Sequence, residues 1–278
     1  MGMRKTVLLL ASMALALVLV SGVALAATFY GTDGNDEIVG TKESDQIFGL
    51  GGKDVIEGRG GGDVIHAGTG SDTGSGDEGN DTIYLGPGND GRGGTFYVPR
   101  IFEGGLGKDV MYGGDDDDQM TGDRIIYSGS DYAGGADIMY GEGGNDVMDG
   151  DAGSNTLYGG DGNDTLGTNN NEYSEVWYGD AGDDRLQRVY SGVFPGVAES
   201  DTFYGGDGDD HFSTEGEVKG DLFYGGDGND SFTLAGPVVG SGKHRVYCGS
   251  GYDTVDYYYA DRQDIVTHDC EKVTRRRG

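Results

Sequence analysis

Ile38, Ile47, Ile56 and Ile65 stand nine residues apart, and each follows an aspartate by two positions. The aspartates run Asp36, Asp45, Asp54, Asp63, Asp72, Asp81 and Asp90 without a break. They resume as Asp109, Asp118, Asp137, Asp146, Asn155 and Asp164, then more sparsely as Asp184, Asp210, Asp230 and Asp253. The apolar position continues as Ile83, Met111, Met120, Met139, Met148, Leu157, Leu166, Leu186, Phe212, Phe232 and Val255, with Gly74 and Arg92 as exceptions. Beyond the N-terminal apolar run, no stretch carries the 3.6-residue spacing of a helix. Each unit instead has a triplet of extended residues with one side chain directed inward. Two units make one coil of about 18 residues, with a short strand on each of two facing sheets. Stacked coils then enclose Ile, Leu, Met and Phe between two parallel sheets, and the fold class is all-β.

Glycine and acid fill the space between triplets. Tyr158–Leu166 reads YGGDGNDTL, and near-copies recur as YGGDGDDHF at Tyr204–Phe212 and YGGDGNDSF at Tyr224–Phe232. Of 278 residues, 58 are Gly, and 49 Asp or Glu face 19 Lys or Arg, for a net charge of −30. An irregular chain this poor in apolar residues would stay disordered; the fixed spacing points to a solenoid, whose core is a thin stack. The negative charge excludes nucleic acid as a partner and calls for counterions, which divalent cations supply efficiently.

The blocks follow G-G-x-G-x-D-x-U-x, with U a large apolar residue. In this the chain resembles the haemolysin-type calcium-binding repeats, or repeats-in-toxin, over roughly residues 30–256. The resemblance implies a right-handed parallel β-roll of nonapeptide repeats, two per coil, that binds calcium in its turns. The chemistry agrees. Calcium takes six to eight hard oxygens in flexible geometry, and a glycine-rich turn exposes its carbonyls. Residues one coil apart lie about 4.8 Å from each other. Stacked carboxylates at that distance repel by about 1 kcal/mol in water and roughly 3–4 kcal/mol at an effective dielectric near 20. A Ca²⁺ between turns reverses that sign, so folding should be coupled to the metal.

Steps of nine alternate between the two edges of the roll. On this register one edge carries Asp36, Asp54, Asp72, Asp90, Asp109, a gap near Tyr127, then Asp146, Asp164, Asp184, Asp210, Asp230 and Asp253. The other carries Asp45, Asp63, Asp81, a gap near Pro99, then Asp118, Asp137 and Asn155, with nothing matching afterwards. Calcium is expected along nearly the whole first edge, about ten ions in all. The second edge should lose its sites after Asn155 and carry loops at Thr168–Ser174, Arg188–Ser200 and Thr214–Lys219. The segment Thr73–Arg100, with Gly74 and Arg92 at core positions, is the expected weak point of the stack.

Tyr30, Tyr112, Tyr140, Tyr158, Tyr178, Tyr204, Tyr224 and Tyr247 precede the turns and should face outward. They read as a stacked aromatic ladder, or else as a surface for a glycan or a protein. His66, His211, His244 and His268 form no H-E-x-x-H helix and read as surface residues. Asp115–Asp118 lies in register with the repeat and lacks the final Glu of an EF-hand.

Three domains follow. Residues 1–26 carry Arg4 and Lys5, an apolar run from Val7 to Val20 and a small-x-small site at Ala24-Leu25-Ala26. They read as a secretory signal peptide cut after Ala26; the run is short for a membrane anchor. Residues 27–256 form the β-roll, and residues 257–278 a C-terminal cap with a frayed basic tail at Arg275–Arg277. No second apolar run follows, so a secreted, extracellular protein without stable membrane insertion is expected. Export makes a Cys248–Cys270 disulfide the expected state of the only two cysteines, worth roughly 3 kcal/mol.

Read as a whole, the chain is a secreted calcium-binding repeat protein with a structural or surface-interaction role. No segment outside the repeats is long enough for a conventional catalytic domain, and no G-x-S-x-G or P-loop occurs, so no enzyme activity is expected. The alternative is a secreted polysaccharide-modifying enzyme (a lyase or epimerase) or a toxin-related protein that uses the roll as scaffold.

Overall fold

The computed structural model describes residues 26–91, 101–123, 134–168, 173–188, 199–215, 220–235, 243–258 and 265–276. Among these there is no helix. Two parallel sheets of twelve strands each run the length of the molecule. One begins at Thr28–Tyr30 and ends at Ile265–His268; the other begins at Glu37–Val39 and ends at Lys272–Arg276. The chain passes from one sheet to the other and back, so each strand pairs with the strand one coil later. Ile47 lies beside Ile65, and Ile38 beside Ile56.

The register places the anticipated apolar column inside. Ile47, Ile65, Ile83, Met111, Met139 and Leu157 of the first sheet are buried against Ile38, Ile56, Met120, Met148, Leu166, Leu186, Phe212, Phe232 and Val255 of the second. Trp177, Phe203, Phe223 and Val246 extend the first column, so the core passes from isoleucine at one end to aromatics towards the other. Phe212 meets Phe223 edge to face across the interior, centroids 6.0 Å apart.

Coil length is not constant. The first coils repeat at 18 residues and the middle ones at 28; after a return to 18 the later ones repeat at 20, 26, 20 and 23, and the last at 18. The extra length of the middle coils falls at residues 92–100 and 124–133, outside the described residues. Arg92, read from sequence as a break in the core, lies outside the described residues, and the core place between Gly74 and Met120 is held by Phe102. Phe102 pairs with Gly74, and a Cβ on Gly74 would stand 3.0 Å from its Cζ. The large ring fills the space the glycine leaves, and Thr73–Glu78 is paired on both sides.

The outer face of the first sheet carries a continuous stack of rings: Tyr30, Phe48, His66, Tyr84, Tyr112, Tyr140, Tyr158, Tyr178, Tyr204, Tyr224, Tyr247 and His268. Centroids are 4.7–5.0 Å apart and planes within 2–11° of parallel. His66 and His268 are thus ladder members. His244 is buried, against the expectation of a surface residue.

The last coil stays in register. Ile265–His268 and Lys272–Arg276 are the final strands of the two sheets, and Arg276 pairs with Asp256. Arg275 and Arg276 therefore belong to a strand; Arg277 lies outside the described residues. A disulfide joins Cys248 to Cys270, with Cα atoms 5.2 Å apart.

Candidate metal centre

Each turn brings one anchor carboxylate inward, and the backbone uses half of it. The N–H of Asp54 donates to Oδ1 of Asp72, 2.7 Å, and that of Asp72 to Oδ1 of Asp90, 2.6 Å. The same bond links anchor to anchor along both edges, so the aspartates form two hydrogen-bonded columns. The first runs Asp36, Asp54, Asp72, Asp90, Asp118, Asp146, Asp164, Asp184, Asp210, Asp230, Asp253 and Glu271. The second runs Asp45, Asp63, Asp81, Asp109, Asp137 and Asn155.

This corrects the register read from sequence in one place. Asp109 stands between Asp81 and Asp137, in the second column, and Asp118 between Asp90 and Asp146, in the first. The step of nineteen from Asp90 to Asp109 is a lengthened half-coil rather than a whole coil with a missed turn. Tyr127 and Pro99, where gaps were expected, lie outside the described residues. Nor does the second column stop at Asn155: it continues through Glu175, Asp201, Asp221 and His244. Each of these lies three residues before a ladder ring, as Asp109 precedes Tyr112, and that spacing was the available signal.

The other carboxylate oxygen is left over. Oδ2 of Asp54, Asp63, Asp72, Asp81, Asp90, Asp109, Asp118, Asp137, Asp164, Asp184, Asp210, Asp230 and Asp253 is buried without a hydrogen-bond partner. Burial alone pushes these carboxyls up. The ladder bond lowers them again, and neighbouring carboxylates raise most of them further. Asp54 reaches about 6, Asp81 about 7, and Asp118 and Asp210 about 8. An uncompensated buried carboxylate is costly, and rows of them need protons or cations.

The glycines keep space beside these oxygens. A Cβ on Gly205 would collide with Oδ2 of Asp210 and with the carbonyl oxygen of Gly225. The next glycines of that turn, Gly206 at φ +124° and Gly208 at φ +136°, hold a left-handed backbone that other residues adopt at a cost. Ala67, Leu85 and Cys248 replace the first glycine before Asp72, Asp90 and Asp253. Among the described residues no three carboxylate, imidazole or thiol groups are gathered to hold a metal ion. A cation bound here therefore takes most of its oxygens from turn carbonyls, as calcium does readily.

The family model for the RTX calcium-binding nonapeptide repeat (4 copies) matches residues 30–65, 66–91, 101–124, 131–166, 196–218 and 215–235, more than half of the chain. The chain belongs to this family. No curated protein matches it. An RTX chain binds several Ca²⁺ ions, and the orphaned oxygens beside open turns are the chemistry that fits them. Two anchors fit less well: Oδ2 of Asp36 accepts from the N–H and hydroxyl of Thr32, and Oδ2 of Asp45 from those of Thr41. Among the described residues of this RTX protein, no helix is long and apolar enough to cross a membrane.

Proposed function

We propose that this RTX protein is exported behind its N-terminal signal peptide and folds outside the cell on calcium, as a structural or surface-interaction element without catalysis. The ions are held by the aspartates whose Oδ2 has no protein partner, from Asp54 to Asp137 in both columns and from Asp164 to Asp253 in the first. Asp146 shares their place in the column, while Asp36 and Asp45 at the start of the stack contribute least. One observation carries this reading: buried, unpartnered carboxylate oxygens recur once per turn along two columns. The β-roll is one unit from residue 27 onward, and the Cys248–Cys270 segment closes it as a cap.

The aromatic ladder supports the structural role over glycan binding. Its rings face each other rather than solvent, so a sugar has no ring face to stack on except at the ends. Circular dichroism of the mature chain tests the proposal. The chain should be unordered in chelator at pH 8 and β-rich in millimolar calcium. A fully folded chain that ignores calcium would remove the proposal.

A further inference from the structure

The second column changes character after Asn155. At most regular turns the fourth residue after an anchor is a glycine, Ala67 after Asp63 and Leu85 after Asp81 being the exceptions, and the space beside the glycine belongs to the next carboxylate. In the coils that follow, this place is taken by Thr168, Arg188, Thr214 and Leu234, all buried. In four successive coils a side chain thus stands where glycine is the rule. They precede the anchors Glu175, Asp201, Asp221 and His244 in that order.

The contacts show what replaces the cation. Arg188 is fully buried, and its Nη1 lies 2.7 Å from Oδ2 of Asp201 and 3.7 Å from Oδ1 of Asp221. Glu175 receives the side-chain amide of Asn155 at Oε1, 3.5 Å, and the indole N–H of Trp177 at Oε2, 3.4 Å. The N–H of Asp221 donates to Nδ1 of His244, 3.1 Å, so the imidazole accepts where an aspartate Oδ1 would. Burial, aided by the Arg188 charge, lowers that histidine to about 4, which keeps it neutral. Oδ2 of Asp201 and of Asp221 is buried without a hydrogen bond, as in Asp184, Asp210 and Asp230 of the first column, but the Arg188 guanidinium lies beside the second-column pair.

We propose that Arg188 stands in for calcium in the second column beyond Asn155, so that this stretch is held by a cation built into the chain and binds no metal. A guanidinium is permanently charged and cannot dissociate. It brings donors where a metal would need six or more oxygens, and the sequence before Glu175, Asp201 and Asp221 lacks the G-G-x-G-x-D pattern. The roll thus has two columns that respond to calcium in its first half and one in its second. The inference rests on the calcium reading given above, and its test separates the two.

Crystals of the full mature chain grown in calcium should show anomalous difference peaks beside Asp164, Asp184, Asp210 and Asp230 and none beside Glu175, Asp201 or Asp221. A peak in the Glu175–Asp221 stretch overturns the inference; absence of peaks throughout overturns the calcium reading itself. Arg188→Met provides a second measurement. Removing the charge should raise the calcium concentration at the folding midpoint at least tenfold, because Asp201 loses its counterion. A midpoint within twofold of the parent would show that Arg188 does not neutralise the column. If the variant fails to fold, the crystallographic test on the parent chain still decides.

Discussion

The backbone N–H of Asp210 donates to Oδ1 of Asp230, one coil on, while Oδ2 of Asp230 is buried without a partner. One carboxylate thus serves the backbone with one oxygen and a cation with the other. Asn155 shows what happens when only the first task remains. Its Oδ1 accepts from the N–H of Asp137, 2.9 Å, and its Nδ2 donates to the carbonyl of Gly150, 2.7 Å. Asp210→Asn should behave likewise, turning its amide towards Gly205. The expected result is loss of ion binding at that turn, with no loss of stability in chelator at pH 5, where protons keep the metal-free chain ordered. Asp210→Ala, which forfeits the ladder bond too, should cost about 1–3 kcal/mol beyond the asparagine variant. Ion counting by native mass spectrometry and denaturant titration with and without calcium measure both.

Proton and calcium compete for the same oxygens, and the sign of the pH effect follows. In the folded, metal-free chain Asp54 titrates at about 6, Asp81 at about 7 and Asp118 at about 8, all above 3.8. The folded state therefore holds protons that the unfolded chain releases. That stability is full below about pH 4 and lost as pH rises through 6 to 8. Chelated protein should be more ordered at pH 5 than at pH 8 by circular dichroism. Calcium binding near pH 6.5 should release protons, seen as a dependence of calorimetric heat on buffer ionisation enthalpy, and release few at pH 9. A heat independent of buffer at pH 6.5 would contradict this.

The period made much of this legible. Ile38 to Ile65 repeat because every coil must present a side chain at one fixed place, and a nine-residue count finds them. The count failed where it met insertions. A nineteen-residue step fits either one long half-coil or one whole coil, and only the pairing of Asp81 with Asp109 and of Asp90 with Asp118 resolves it. Glu175, Asp201, Asp221 and His244 are not found by the motif because the segments before them lack its G-G-x-G-x-D spacing, although Tyr178, Tyr204, Tyr224 and Tyr247 follow each by three. Arg188 was illegible in a different way. Its partners Asp201 and Asp221 are met only once the coils are stacked, and a buried arginine looks like any surface arginine in a sequence.

Gly74 and Phe102 are complementary, and that complementarity can be measured. Phe102 is fully buried beside a residue with no side chain. Phe102→Ala would leave an unfilled space over both residues and should cost about 3–5 kcal/mol in saturating calcium. Gly74→Ala should also destabilise, because its Cβ would strike the Ile56 carbonyl as well as the ring. Chemical denaturation followed by circular dichroism reads both. A loss under about 1 kcal/mol for Phe102→Ala would mean that the ring is not packed as described.

Among the described residues the last coil has a neighbour on one side only. Val273, at a core position of that coil, is 46% exposed, whereas Val255 one coil earlier is fully buried. The Cys248–Cys270 disulfide ties this open end to the coil beneath it, across a separation of 22 residues. Closing a loop of that size constrains the unfolded chain by roughly 3 kcal/mol, and here it also fixes the rung that would fray first. Reduction, or Cys270→Ser, should therefore lower stability by about that amount in calcium. Hydrogen exchange should speed up first in Ile265–His268 and Lys272–Arg276 and leave Tyr158–Leu166 protected. Uniform loss of protection along the whole stack would instead mean that the end coil and the middle unfold as one unit, and that the disulfide guards the roll rather than its cap.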